Sequence, residues 1–244
     1  MVNVNNGWSF RTVVFKDIAG GSFDLRTVKV KKDSGADYNT TGISSLKANG
    51  FTVQKISTAG AYLDEYHYIT CVSGTGAVAE EGWYKDGKDL VTEPIALNHG
   101  EGVIIHTTKS DAALLMCGEV DFVCQTLVPN GWSFSGNSTP VAFNLSDVQV
   151  KKSTGDDYNT TGISSLKANG FTIQKISEAG AYLDEYHYIT CVSGTGAVAQ
   201  KGWYKNGTEL VTSENDLSFE PGEGFIIHTT KTDAMLVLPK PITE

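Results

Sequence analysis

The sequence is short of the residues that mark several large classes of protein. Its 244 residues include four cysteines, none in a CxxC pair, so neither a disulfide scaffold nor a zinc ribbon is signalled. No run approaches the roughly 18 consecutive apolar residues of a membrane-spanning helix. Residues 1–8 lack the basic and apolar regions of a signal peptide. Basic residues are few: 19 Lys and Arg stand against 28 Asp and Glu, a net charge of −9. A nucleic-acid binder needs the opposite sign to displace phosphate counterions. There is no GxGxxG, no P-loop and no GxSxG elbow. These absences argue against nucleic acid, membrane insertion and nucleotide chemistry, and no cofactor is expected.

What is present is a duplication. Residues 37–92 return as residues 157–212 at an offset of 120, with seven mild differences in 56 positions: Val53/Ile173, Thr58/Glu178, Glu80/Gln200, Glu81/Lys201, Asp86/Asn206, Lys88/Thr208 and Asp89/Glu209. The likeness runs outward to Asn6-Gly7-Trp8-Ser9-Phe10 against Asn130-Gly131-Trp132-Ser133-Phe134, and to Gly100-Glu101-Gly102-Val103-Ile104-Ile105-His106 against Gly222-Glu223-Gly224-Phe225-Ile226-Ile227-His228. The first copy carries four extra residues in 11–27 relative to 135–147, the mark of a loop. With a proline at 129, the division predicted is residues 1–127 and 128–244.

Glycine is plentiful, at 26 residues, and separates short runs rich in Val, Ile, Thr, Tyr and Phe. That spacing predicts an all-β fold, a tandem pair of β-sandwich or flattened-barrel domains. Asp86-Gly87 and Asn206-Gly207 each suit the tip of a type I′ hairpin. The runs around Tyr66 and Val103 carry bulky groups on both faces, as expected of strands covered twice. One short helix is expected over residues 43–50.

The order NGWSF, a strand ending in Lys-Lys, a tyrosine-rich strand, a GWY hairpin and a GEGVIIHTT or GEGFIIHTT strand resembles a group of uncharacterised exported proteins of verrucomicrobial and lentisphaeral bacteria. The resemblance spans nearly the whole chain, including its two-copy arrangement. It implies export and a β-rich repeat, and supplies no catalytic residue.

Each candidate chemistry meets a plainer reading. His67 with Cys71, and His187 with Cys191, are good zinc ligand types, but four residues of strand separate them by about 13 Å. A buried thiol and a hydrogen-bonded histidine account for them as well. A Cys-His nucleophile needs an exposed cysteine, which a mid-strand site does not offer. Asp33, Asp37 and Asn39, echoed by Asp156, Asp157 and Asn159, are oxygen ligands in Gly-containing loops, with Asp37, Asn39, Asp157 and Asn159 the calcium candidates; the spacing matches no EF-hand, and solvated Asx turns explain them better. Trp83, Tyr84, Trp203 and Tyr204 are candidates for ligand or interface contact: neighbours on a strand face opposite ways, so one of each pair is expected at the surface. Cys117 and Cys124 stand close enough in sequence to leave pairing open.

With no catalytic constellation, the expectation is a non-enzymatic structural subunit that joins copies of itself, head to tail, into an extracellular or cell-surface polymer. The alternative is a two-site carbohydrate-binding module in which Tyr62, Tyr66, Tyr68, Trp83 and Tyr84, recurring at 182, 186, 188, 203 and 204, stack on sugar beside the carboxylates of Asp64 and Glu65.

Overall fold

A computed structural model describes residues 2–4, 6–16, 21–37, 51–57, 61–70, 80–120, 125–157, 171–176, 181–190, 200–214 and 216–239. The fold is all-β, as expected, and repeats. In copy one a six-stranded antiparallel sheet runs in the order Gly7–Thr12, Gly102–Thr107, Phe51–Ile56, Tyr62–Ile69, Gly82–Lys85, Asp89–Leu90. Copy two repeats it with Gly131–Gly136, Gly224–Thr229, Phe171–Ile176, Tyr182–Ile189, Gly202–Lys205 and Glu209–Leu210. A three-stranded sheet accompanies each: Val2–Val4, Ala112–Leu115, Lys29–Lys32, and Gln125–Leu127, Ala234–Val237, Gln149–Lys152. The sheets are open, so the pair are sandwiches and not closed barrels. Among the described residues no helix is long and apolar enough to cross a membrane. The helix expected over 43–50 lies outside the described residues.

The strand Gln125–Leu127 pairs with Ala234–Val237, as Val2–Val4 pairs with Ala112–Leu115. Those three residues therefore belong to copy two. The expected boundary after residue 127 moves ahead of Gln125.

The hairpin tips behave as their residues require. Asp86 and Gly87 both take positive φ, 50° and 69°, and the Lys88 N–H donates to the Lys85 carbonyl at 3.0 Å. Asn206 and Gly207 do the same at 50° and 74°. Asn and Asp tolerate this region through local side-chain hydrogen bonds, and glycine enters it without steric cost.

Each copy holds its own hydrophobic core, with no buried residue shared between the two clusters. Between the copies, the edge strands Gly7–Thr12 and Gly131–Gly136 come together. Phe10 stacks on Phe134, its own counterpart, at 5.5 Å between ring centres and 9° between planes. The approach on either side is reciprocal: a Cβ on Gly102 would lie 3.1 Å from Phe134 Cβ, and one on Gly224 would lie 3.1 Å from Phe10 Cβ. A pseudo-two-fold axis thus passes by the Phe10–Phe134 stack. Such a contact is isologous: the same patch of each copy is used up by the other. Within the chain, this patch of each copy is occupied by the other.

The symmetry is broken at one end. The Thr12 N–H donates to the Gly222 carbonyl at 2.8 Å, and Arg11 bridges to Glu223. A Cβ on Gly136 would fall 1.9 Å from Thr12 Oγ1 and 2.4 Å from the Glu223 carbonyl oxygen, so the backbones meet only because position 136 has no side chain.

Candidate functional site

Both members of each expected aromatic pair are buried. Trp83 faces the core, where its Nε1 donates to the Val28 carbonyl at 3.0 Å and its ring meets Phe51 and Tyr68 at steep angles. Trp203 donates likewise to the Val148 carbonyl at 2.8 Å. Tyr84 and Tyr204 point to the opposite face, yet they too are covered, with hydroxyls donating to the carbonyls of Glu80 and Gln200, each at 2.8 Å. The expectation that one of each pair lies at the surface is corrected. A sheet covered on both faces has no exposed alternate.

His67 and His187 are buried mid-strand beside Glu65 and Glu185, at 2.6 and 3.6 Å. Cys71, Cys191 and Cys124 lie outside the described residues, while Cys117 is an exposed free thiol. Of the calcium candidates, Asp37 is ion-paired to Lys31 and Asp157 to Lys201 at 2.6 Å; Asn39 and Asn159 are outside the described residues. The hydrogen bond from the Lys201 ammonium holds the Asp157 carboxyl below its usual value. Among the described residues no cluster of three or more His, Cys, Asp or Glu is placed to hold a metal ion.

The aromatic side chains that do reach solvent are others. Trp8 is 47% exposed and Trp132 53%; Tyr62 is 70% exposed and Tyr182 67%. Their positions follow from strand register. Ser9 pairs with Ile105 and turns inward, so Trp8, paired with His106, must turn outward. Its ring lies over the His106 imidazole at 4.3 Å, and Trp132 lies over His228 at 4.6 Å. The next outward residues of this face, Phe10, Ile104 and Gln54, form a cross-strand row. A register shift between Gln54 and Ile56, matched between Gln174 and Ile176, marks a β-bulge against the strand that begins at Tyr62 or Tyr182. Bulges bend a strand and re-aim its side chains, here beside the place where the copies meet.

These residues converge on a cleft of about 330 Å³. Phe10, Ile104 and Gln54 make its floor, Trp8 and Tyr62 one side, and Ile176 and Tyr182 of copy two the other. Four of the seven are aromatic and none carries a formal charge at neutral pH. Its polar side chains are Gln54, whose amide nitrogen lies 3.5 Å from the Leu63 carbonyl, and the tyrosines at 62 and 182 with their hydroxyls. Composition alone could not locate this cleft: the relevant signal was Trp8 within the repeated NGWSF, and its setting depends on how two copies pack.

Comparison with protein-family models, curated proteins and solved structures finds no match.

Proposed function

We propose that the chain is a non-enzymatic carbohydrate-binding module whose site is the aromatic cleft between the copies. The observation that carries this reading is the exposure of three rings, Trp8, Tyr62 and Tyr182, that line one cleft where the copies meet. Large exposed aromatic surface on a rigid sheet is costly unless a ligand covers it. An uncharged wall of ring faces with one amide suits a neutral sugar, whose C–H faces stack on rings while its hydroxyls seek few, well-placed partners. Trp8 packs against the His106 ring at 4.3 Å, and a side chain already held in place loses less freedom on binding.

The competing reading, a subunit that polymerises, loses its simplest route because the isologous contact is consumed within the chain. It would need a different surface. Titration calorimetry against neutral hexasaccharides of glucose, xylose and N-acetylglucosamine tests the proposal. One of them should bind, with Trp8→Ala or Tyr62→Ala weakening it at least about tenfold. Absence of binding across the panel, together with concentration-dependent growth in light scattering, would return the polymer to first place.

A further inference from the structure

We infer that copy one has a second, internal site, for a small apolar molecule with a body of about nine carbons, and that copy two has filled the equivalent space with its own side chains. The inference does not depend on the carbohydrate cleft.

A cavity of about 230 Å³ lies between the sheets of copy one. Its wall is drawn from the core cluster, including Val53, Leu97, Val103 and Ile105, and Pro140 and Pro221 of copy two also line it. The polar lining is confined to the Arg11–Thr12 end and the Gly222 backbone. Protein interiors close to crystal density rarely leave such a space, and its lining is almost wholly apolar.

The second copy shows what the fold does when the space is not kept. Leu97 and Val103 correspond to Phe219 and Phe225, which are fully buried and pack edge to face at 4.9 Å between ring centres. A third stretch of the wall changes independently. Val13-Val14-Phe15 of copy one stands where copy two has Asn137-Ser138-Thr139. In copy two Asn137 is buried and donates to the carbonyls of Val141 and Phe219 at 2.8 and 2.9 Å, while the Thr139 N–H and hydroxyl both donate back to Asn137 Oδ1. That loop seals itself with its own hydrogen bonds. In copy one the same stretch is apolar toward the cavity, and Phe15–Lys16 pairs with Glu119–Val120. Here Gly118 allows a close approach: a Cβ on it would lie 2.6 Å from the Lys16 carbonyl oxygen.

Two of these differences, Leu97 for Phe219 and Val103 for Phe225, enlarge the space in copy one, and the third, Val13-Val14-Phe15 for Asn137-Ser138-Thr139, makes its lining more apolar. An apolar cavity of about 150 Å³ accepts a six-carbon ring, which scales to about nine carbons here. The partner class is therefore a neutral hydrocarbon body, such as an alkylbenzene or a short branched chain.

The test uses the full chain and n-propylbenzene as the probe, followed by calorimetry and by the methyl resonance of Met116, which lines the cavity. The wild type should bind one equivalent with a shift of the Met116 signal. The variant L97F/V103F imports the side chains of copy two; it should keep its fold and lose binding at least about a hundredfold, because two phenyl rings take the volume. Should that pair fail to fold, L97F alone carries the same expectation with a smaller loss. No binding by the wild type, or binding unchanged in a folded L97F variant, would overturn the inference. Neither outcome bears on the glycan titration, which reads Trp8 and Tyr62.

Discussion

The two copies share 49 of 56 residues in their central blocks, yet their interiors are solved differently. Copy two closes its core with Phe219 stacked against Phe143 and Phe225 and caps it with the self-bonded Asn137–Thr139 loop. Copy one, with Leu97, Val103 and an apolar Val13-Val14-Phe15, leaves about 230 Å³ between the same strands. The divergence lies almost wholly in the flanks. Strand order and register are thus insensitive to how completely the core is filled, whereas the ability to hold a guest depends on a handful of side chains outside the duplicated block.

The sharpest way to break that comparison is to empty copy two. Phe225→Ala should destabilise it by about 3–5 kcal/mol, while Val103→Ala in copy one should cost less than about 1.5 kcal/mol because that wall already faces space. Urea unfolding with separate probes for the two copies reads the difference. Equal costs would mean that copy one is as tightly packed as its partner.

The next effect concerns the contact between the copies. Gly136→Ala should cost about 1–3 kcal/mol from overpacking against Thr12 Oγ1 and the Glu223 carbonyl. Thr12→Ala removes a buried hydroxyl that has no hydrogen-bond partner, and should be close to neutral on its own and recover part of the Gly136→Ala loss. A double-mutant cycle gives the coupling. Strict additivity would place the strain elsewhere.

A smaller asymmetry lies at the 3-10 turns. Asp24 accepts from the backbone N–H groups of Arg26 and Ile95, both at 3.0 Å, and from the Arg26 guanidinium. Copy two has Asn144 there, and Asp216 serves Ser146 and Leu217 instead. Burial pushes the Asp24 carboxyl up, but the hydrogen bonds from Arg26 and the Ile95 N–H, with the charge of Arg26, outweigh it and hold the carboxyl below the usual aspartate value. A carboxyl lowered by folding contributes stability that is present above its unfolded value and is lost as pH falls through the folded one. Asp24→Asn should cost about 1 kcal/mol at neutral pH and flatten the acid limb of copy one below the usual aspartate range. An acid limb unchanged in the variant would assign the pH dependence to other groups.

The smallest effect is the charge reversal Glu81/Lys201. Glu81 accepts from the Tyr68 hydroxyl at 2.6 Å, whereas Lys201 pairs with Asp157. Lys201→Glu should leave the unfolding midpoint nearly unchanged, as exposed pairs contribute little, while the Asp157 titration followed by NMR moves up toward the usual carboxylate range. An Asp157 titration that does not move would refute the pairing.

Much of this architecture was legible from residues alone. Duplication, all-β character and the Asp86-Gly87 and Asn206-Gly207 hairpins follow from local chemistry and recur in the fold. What failed was an inference about faces. Trp83 and Tyr84 do point opposite ways, as strand geometry demands, but the rule that one must then be wet assumes a sheet with one solvated side. The twice-covered character read around Tyr66 and Val103 extends to the Gly82–Lys85 strand, and both rings are buried. Trp8 and Phe10 escaped notice, and Tyr62 was not told apart from the buried Tyr66 and Tyr68, for the converse reason: their exposure is decided by the neighbouring copy, which no local pattern encodes. Asn137 and Asn206 both stand in Asn-Xaa-Thr/Ser sequons, yet one is a buried strut and the other a hairpin tip.

The Phe10–Phe134 stack has one more consequence, for how such a pair changes over time. In a homodimer of separate chains every substitution appears on both sides of the axis at once, and dilution pulls the partners apart. Within one chain the partner is supplied at an effective concentration on the order of millimolar whatever the amount of protein. Each half is also free to vary alone. A closed symmetric contact fused in this way lets one copy keep a dense core that anchors the pair, while the other gives up packing for an interior that can accept a guest.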